Sequence, residues 1–259
     1  MKKCEMCTLI SQKEISRGIF DMELSAPGIA AEAVPGQFVD VYCGNAARIL
    51  PRPISLCGID KENGRIRLVY RAGGKGTKEF SEMKAGGIVK VIGPLGNGFP
   101  TEEAEGKRVF LFGGGIGVPP MLESAKVLQA SGADVTAVLG YKDDCFLAPE
   151  FEKYGRVIIA TEDGSYGTPG NVLDAVRENN ASADMAFACG PKPMLRAIKA
   201  FAEEKEIPCW VSLEERMACG IGACLACVCE STEVDEHSQV RNKRVCKDGP
   251  VFRSTEVIL

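Results

Sequence analysis

The sequence has a single histidine, His237, among its 259 residues. Zinc sites built from several histidines are therefore excluded, and a Ser-His-Asp triad is excluded unless His237 serves it. A basic excess is also missing, because 31 lysines and arginines stand against 35 aspartates and glutamates, for a formal net charge of −4. General nucleic-acid binders more often carry a basic excess, so no nucleic-acid partner is expected.

A long hydrophobic run is missing as well. The longest weakly charged stretch, residues 109–122, is interrupted by several glycines and by Pro119 and Pro120. A membrane-spanning helix needs roughly 20 apolar residues, so no membrane span is expected. Lys2 and Lys3 are followed by Glu5 rather than by an apolar block, which predicts no signal peptide and a cytoplasmic location.

Cysteine, by contrast, is abundant, with 12 residues. In a reducing cytosol a disulfide framework is not expected. Cys219, Cys224 and Cys227 follow the spacing C-x4-C-x2-C, and Cys246 comes 18 residues later. This spacing matches the plant-type [2Fe–2S] ligand pattern. The four cysteines are therefore predicted to bind an iron–sulfur cluster.

A zinc site with four cysteine ligands is the alternative for these cysteines. Structural zinc sites usually use C-x2-C pairs, and only Cys224–Cys227 and Cys4–Cys7 have that spacing. The pattern therefore favours iron–sulfur over zinc. Cys229 lies two residues beyond Cys227 and outside the C-x4-C-x2-C spacing, so it is left out of the ligand set.

The hydrophobic pattern divides the chain into three regions, 1–98, 99–211 and 212–259. Short β-like runs separated by turn residues predict a small antiparallel barrel in the first region. Those runs are Gly18–Leu24, Gln37–Tyr42, Arg65–Tyr70 and Ile88–Ile92, with a short helix at Lys78–Met83. Strands alternate with helices in the second region, which predicts an α/β domain with a parallel sheet. The third region reads as a cysteine-rich appendage organised by a metal site.

Two glycine-containing turns follow strands of the predicted parallel sheet. Gly113–Gly117 follows the apolar run Phe110–Phe112, and Cys189–Met194 follows Met185–Ala188; a helix follows each turn. Free N–H groups at a helix start suit a phosphate, and strand ends face the ligand crevice. The spacing is not G-x-G-x-x-G, and a turn that serves only strand–helix packing is the alternative.

Two further candidate phosphate contacts lie in the barrel region. Arg52–Ser55 begins with an arginine whose planar donor fork suits phosphate, and Gly73–Thr77 leads into the short helix. Taken alone, each segment is more often a surface arginine or a flexible turn. Together with the two turns of the sheet, they favour a phosphate-bearing cofactor in the barrel that faces a second nucleotide.

In combination, these motifs resemble the ferredoxin reductase superfamily. Within it, they are similar to the electron-transfer subunits of NAD-dependent (class 1B) dihydroorotate dehydrogenases. The stretch Ser212–Cys224 carries the closest likeness, and the resemblance covers about Thr8–Phe252. It implies an FAD-binding antiparallel β-barrel (1–98), an NAD-binding α/β parallel-sheet domain (99–211) and a small C-terminal [2Fe–2S] module (212–259).

The resemblance also assigns roles to residues. It places Arg52 on the FAD pyrophosphate and Ser55 near the flavin N5 edge. The residues that it implies for FAD binding are Arg52, Pro53, Ile54, Ser55, Val69, Tyr70, Arg71, Gly76 and Thr77. The residues that it implies for binding the nicotinamide nucleotide are Gly113, Gly114, Gly115, Ile116, Gly117, Cys189, Gly190, Pro191 and Met194, with Asp163 bound to a ribose hydroxyl. The metal ligands that it implies are Cys219, Cys224, Cys227 and Cys246. No arginine cluster awaits a 2′-phosphate, so NAD is expected, and no side chain is assigned acid–base catalysis.

The implied function is electron transfer in pyrimidine biosynthesis. Electrons pass from an FMN-containing dihydroorotate dehydrogenase catalytic subunit through [2Fe–2S] and FAD to NAD+, in an expected heterotetramer. The alternatives are a small subunit of another NAD(P)H-linked complex, such as an electron-bifurcating ferredoxin reductase or a hydrogenase diaphorase, and a non-enzymatic zinc module. Two segments depart from the family pattern: Cys4–Cys7, read as an exposed thiol pair or an extension, and 235–237, read as part of a partner contact.

Overall fold

The computed structural model describes residues 2–234 and 239–259, so the segment 235–237 lies outside the described residues. The N-terminal part is a closed antiparallel barrel with the strand order β1-β2-β5-β4-β3-β6. Its strands are β1 (Lys3–Ser16), β2 (Ile19–Ser25), β3 (Phe38–Val41), β4 (Arg52–Asp60), β5 (Arg65–Arg71) and β6 (Ile88–Leu95). Two short helices accompany them, α1 (Pro27–Glu32) and α2 (Lys75–Ser81). The predicted barrel is confirmed.

Strand β1 is absent from the sequence-based prediction, although its 14 residues close the barrel between β2 and β6. Its side chains alternate between the two faces, so Cys7 is buried while Cys4 is exposed. Burial raises the pKa of the Cys7 thiol to about 12. Cys4 and Cys7 therefore do not form an exposed thiol pair, because a separation of three residues places them on opposite faces of a strand.

The second part is a sheet with the strand order β10-β9-β8-β7-β11-β12-β15. Its first six strands in sequence are β7 (Arg108–Gly114), β8 (Asp134–Tyr141), β9 (Arg156–Thr161), β10 (Thr168–Pro169), β11 (Met185–Cys189) and β12 (Cys209–Ser212). The helices are α3 (Val118–Ala130), α4 (Ala148–Phe151), α5 (Val172–Glu178) and α6 (Lys192–Glu204). All pairings from β10 through β12 are parallel, as predicted.

The C-terminal segment is built into this sheet as well as into the cysteine region. It contributes the small hairpin of β13 (Val228–Glu230) and β14 (Asn242–Arg244) and then β15 (Val251–Arg253). Strand β15 pairs antiparallel with β12 and completes the sheet. Phe252 of β15 and Phe38 of the barrel strand β3 share one hydrophobic cluster with Cys227 and Cys246. The cysteine region is therefore packed between the barrel and the sheet.

No helix within 2–234 and 239–259 is long and apolar enough to cross a membrane.

A bidentate ion-pair network joins the barrel to helix α4 of the parallel-sheet part. Arg67 of β5 donates to Asp21 of β2 from Nε (2.8 Å) and Nη2 (3.0 Å). The same guanidinium donates to Glu150 of α4 from Nη1 (2.6 Å) and Nη2 (2.8 Å). The planar fork of arginine suits two carboxylates in this way. Because β5 continues into Val69–Arg71, the network fixes a candidate flavin strand relative to the sheet.

Replacing Glu150 with glutamine is expected to lower the free energy of unfolding by about 1 kcal/mol, since the pair is partly exposed and screened. The hydrogen bond from Arg67 holds the pKa of Glu150 below its usual range. A lowered pKa in the folded state stabilises the fold above the unfolded-state pKa of about 4.3, and that stabilisation is lost as the pH falls through the folded-state value. Urea unfolding should therefore separate wild type from Glu150→Gln at pH 7 and bring them together once the pH has fallen below the folded-state pKa of Glu150. A difference that persists there would contradict the ion-pair account.

Candidate functional site

A cavity of about 620 Å³ lies between the barrel and the carboxyl ends of the parallel strands. Four predicted segments line it: Pro53–Ser55 of β4, Val69–Arg71 of β5, 114–117 after β7 and 189–191 after β11. Thr77 of α2 completes the predicted set on its wall. The fold thus brings the candidate FAD residues and the candidate nicotinamide residues to one crevice.

A second cavity, of about 960 Å³, adjoins the first and shares Pro53, Thr77, Gly190 and Pro191 with it. It contains the predicted Arg52 and four further cations, two of them inside the predicted binding segments Gly73–Thr77 and Cys189–Met194 and two outside every predicted binding segment. These are Arg48, Lys75, Lys192 and Arg216. A concave surface with several cations suits the phosphates of a dinucleotide. Lys192 is tied across the cavity rim by an ion pair to Glu215.

The segment Ser212–Met217 was also missed as cavity lining, although it carries the family likeness. Ser212, Leu213, Glu214, Glu215 and Met217 line the smaller cavity, together with Phe38 and Pro250. Ser212 ends β12, and the chain then runs along the crevice directly into Cys219. The only sequence signal for this role is the position of the segment between a parallel strand and the cysteine motif.

Arg52 and Gly76 form a cradle that fits a pyrophosphate. The Arg52 guanidinium is half-buried and donates to the carbonyls of Leu50 and Pro51. A Cβ at Gly76 would overlap this guanidinium, so the absence of a side chain there lets Arg52 lie against the start of α2. Held in this way, the fork is oriented by its neighbours, and the residues present fit the phosphates of FAD.

The two glycine turns touch each other across the crevice. Strands β7 and β11 are neighbours in the sheet, with Gly113 opposite Cys189. A Cβ at Gly117 would overlap the carbonyl of Cys189 and lie 2.7 Å from the Gly190 nitrogen. Glycine at 117 therefore allows the backbone of one turn to lie directly on the other. This contact shapes the floor of the crevice where a nicotinamide nucleotide would lie.

Replacing Gly117 with alanine is expected to separate the two turns, because the added methyl group meets backbone atoms rather than a flexible side chain. We expect the KM for NADH to rise about tenfold or more, with FAD content unchanged. Steady-state NADH oxidation with an artificial acceptor measures this. Gly73→Ala is the matched control, since a Cβ there meets nothing within 4 Å. An unchanged KM would contradict the assignment of this turn.

Three of the predicted nucleotide residues lie outside the cavity lining. Gly113 is buried within strand β7, and Met194 packs its side chain against Gly114 and Gly190 from behind. Asp163 is exposed beyond β9 and accepts hydrogen bonds from the Ser165 N–H (3.0 Å) and hydroxyl (2.6 Å). These bonds hold the pKa of Asp163 below its usual range. Its contact with a ribose remains a prediction.

The four candidate ligand cysteines lie on neighbouring loop segments whose backbone N–H groups donate to the sulfurs. The Ala223 N–H donates to the Cys219 sulfur (3.3 Å) and the Cys246 N–H to the Cys227 sulfur (3.4 Å). The Gly222 N–H donates to the Cys246 sulfur (3.1 Å). Burial raises the pKa of Cys219, but hydrogen bonds from the loop outweigh it and lower the pKa to about 6. Thiolate-stabilising donors of this kind fit a cluster ligand set.

The spacing of these cysteines fits a two-iron cluster better than a single zinc ion, because plant-type [2Fe–2S] sites use C-x4-C-x2-C with a distant fourth cysteine, whereas structural zinc sites usually use C-x2-C pairs. The backbone donors to the sulfurs of Cys219, Cys227 and Cys246 suit such ligands. Cys229 is buried and donates from its sulfur to the Lys243 carbonyl (3.5 Å). The donor set therefore fits [2Fe–2S].

These features together define a flavin- and iron–sulfur-containing oxidoreductase of the ferredoxin reductase class. Residues 6–99 match the oxidoreductase FAD-binding domain, and residues 214–258 match the iron–sulfur cluster binding domain of dihydroorotate dehydrogenase B. The chain belongs to the family of dihydroorotate dehydrogenase B (NAD(+)) electron transfer subunits. The predicted fold class, FAD and iron–sulfur cofactors and electron-transfer role are thereby confirmed.

Relatives support this assignment over the full length of the chain. The electron transfer subunit of Geobacillus sp. (strain WCH70) is 46% identical over 263 residues, covering 100% of both chains. That of Shouchella clausii is 43% identical, covering 100% of this chain and 99% of the relative. A solved structure of an NADH-dependent reduced ferredoxin–NADP oxidoreductase is 30% identical with a TM-score of 0.86, covering 98% of this chain and 90% of the other.

Proposed function

We propose that this chain is the electron-transfer subunit of a cytoplasmic, NAD-dependent dihydroorotate dehydrogenase. It carries electrons between an FMN-containing catalytic subunit and NAD+, in a heterotetramer that serves pyrimidine biosynthesis. One observation carries the proposal: a single crevice is lined by the barrel segments, by both glycine turns and by the segment that leads into the cysteine motif. The candidate FAD and nicotinamide residues line one crevice, and Ser212–Met217 leads from that crevice to Cys219, which supports the proposal.

The chain's residues supply position and electrostatics at this crevice. Arg52 and Thr77 would hold the FAD phosphates, Pro53–Ser55 and Val69–Arg71 would line the flavin, and the two glycine turns would hold the nicotinamide nucleotide. Phe38 of β3, only 3% exposed, lines the crevice on its barrel side. When bound, FAD links two-electron hydride chemistry to the one-electron chemistry of the cluster.

The arrangement of the rim also fits this role. Glu214, Glu215 and Met217 lie on the cavity wall within seven residues of Cys219, so the cysteine loop is an extension of the crevice. The loop is exposed at Cys224 and buried at Cys227 and Cys246. An exposed edge next to an internal crevice suits a carrier that receives electrons from another protein and delivers them inside.

A small subunit of another NAD(P)H-linked complex is the second candidate. The similarity to an NADH-dependent reduced ferredoxin–NADP oxidoreductase favours it, because that likeness also covers nearly the whole chain. Both candidates use the same layout, and they differ in the partner. The 46% identity to a dihydroorotate dehydrogenase B subunit, against 30% to the oxidoreductase, favours the first.

Anaerobic co-purification with the FMN-containing subunit tests the proposal. We expect a heterotetramer with two copies of each chain, in which each copy of this chain carries one FAD and two irons. Native mass, flavin identity and iron content are the measurements. A chain that binds FAD and iron but does not associate with the FMN-containing subunit would move the partner to another oxidoreductase.

A further inference from the structure

Asp40 is a fully buried carboxylate between the barrel and the cysteine loop. It lies on β3, where Val39 and Val41 point into the barrel core, so Asp40 lies on the outer face. Its cross-strand neighbours are Pro53 on β4 and Ile92 on β6, whose side chains have no hydrogen-bond donor. Within the described residues, neither oxygen of Asp40 has a hydrogen-bond partner.

The cysteine loop closes directly over this carboxylate. A Cβ at Gly220 would overlap the Asp40 Oδ2 atom, and Gly220 has a φ of +63°. Only glycine accommodates both the left-handed backbone and the close approach. Because Gly220 follows Cys219, the carboxylate lies beneath the part of the loop that begins the ligand motif.

A buried carboxylate without partners costs stability, so a purely structural role does not account for it. Burial, and secondly the charge of Cys219, raises the pKa of Asp40 to about 6. Buried polar groups without partners are rare, and those that persist call for a functional explanation. Asp40 lies against the cysteine loop and beside the candidate flavin residue Pro53, so its function is expected at the cofactors that these residues would hold.

We propose that Asp40 is a positioning residue for charge, which lowers the reduction potential of the [2Fe–2S] cluster held by the loop above it. This inference rests on the proposed cluster site. A cluster that accepts an electron becomes more negative, and a nearby negative charge in a low-dielectric interior disfavours that change. Net charge around a cluster is one of the determinants of its potential. A low potential suits a chain whose proposed acceptor is NAD+.

Redox titration of the complete complex at pH 8.5, followed by the electron paramagnetic resonance signal of the reduced cluster, tests the proposal. We expect Asp40→Asn to favour the reduced cluster at least tenfold, which is an upward shift of about 59 mV for one electron. Asp40→Thr is a second neutral variant, and its residue type is favoured in strands. Both variants should melt at or above the wild-type temperature, because an unpaired buried charge has been removed.

Glu5→Gln is the matched control. Glu5 also has a buried oxygen without a partner among the described residues, but its side chain faces α1, where Oε2 accepts from the Gly28 N–H (3.2 Å). The Glu5→Gln variant removes the same charge at the contact with α1 rather than at the contact with Gly220, so its shift should be much smaller.

A shift in Asp40→Asn no larger than that of Glu5→Gln, or a downward shift, would overturn the inference. Failure of both Asp40 variants to bind iron while Glu5→Gln binds it would also overturn it, since Asp40 would then be needed to build the loop. A wild-type chain that lacks a cluster would instead refute the proposed function. The two failures are therefore distinguishable.

Discussion

Replacing Cys224 with serine is expected to abolish dihydroorotate-dependent NAD+ reduction while leaving the reduction of FAD by NADH intact. Cys224 is the exposed one of the four candidate ligands, so its loss removes one of the four cysteines that would hold the proposed cluster. Serine offers a harder oxygen donor, which suits iron–sulfur chemistry poorly. Even changes to the surroundings of a metal site cost 10- to 100-fold, so a loss of at least about 100-fold is expected.

The two activities are separated because the candidate FAD and nicotinamide residues line a crevice that does not include Cys224. Stopped-flow reduction of FAD by NADH measures one activity, and NADH formation from dihydroorotate measures the other. Cys229→Ser is the matched control: its sulfur donates to the Lys243 carbonyl, a bond that a hydroxyl can replace. Equal loss of both activities in Cys224→Ser would show that the cluster and flavin sites are not independent.

Replacing Arg52 with alanine is expected to weaken FAD binding by about 10- to 150-fold. The estimate follows from about 1.5–3 kcal/mol for hydrogen bonds between a charged donor and a phosphate. Arg52 is half-buried against Gly76 and bordered by the Leu50 and Pro51 carbonyls, so its fork is already oriented towards the cavity. The purified variant should lose FAD on gel filtration while retaining its iron.

Arg65→Ala controls for the loss of an arginine from the barrel. Arg65 lies at the end of β5 opposite to the cavity-lining residues Val69–Arg71, and it pairs with Glu23 at 3.4 Å. It lines neither of the two adjoining cavities. Its flavin content should equal that of wild type. Unchanged flavin content in Arg52→Ala would remove Arg52 from the FAD site, and the cations Arg48 and Lys75 would then be the next candidates.

Regular strands and helices of the parallel sheet are predictable from sequence because their hydrophobic pattern is local. Helix α5 and strands β11 and β12 lie in the region 99–211, where the sequence predicts alternating strands and helices. Between the runs Gly18–Leu24 and Gln37–Tyr42 the sequence predicts only turns, whereas residues Pro27–Glu32 form helix α1, whose first turn is a favourable place for proline. Strand β1 was missed because its stability comes from pairing with β2 and β6, which residue order alone does not reveal.

In the candidate site, too, local motifs are predictable from the sequence, whereas residues brought in by tertiary packing are not. Motifs that are contiguous in sequence, such as Arg52–Ser55 and Gly114–Gly117, were predicted and lie on the cavity wall. Arg48, Arg216 and Phe38 are not part of any predicted binding segment, because each reaches the cavities only through the packing of elements that are distant in sequence. Asp40 is the extreme case: a charged residue in a strand ordinarily indicates a solvent-facing position, yet Asp40 is fully buried where the distant Gly220 loop lies against it.

Dihydroorotate-dependent NAD+ reduction by the anaerobically purified complex tests the central claim most directly. We expect NADH to form when dihydroorotate and NAD+ are added to the complex of this chain with the FMN-containing subunit, and not with the FMN-containing subunit alone. The complex should contain FAD, FMN and iron before the assay begins. A fully loaded complex that oxidises dihydroorotate with an artificial acceptor but forms no NADH would contradict the claim that this chain carries the electrons to NAD+.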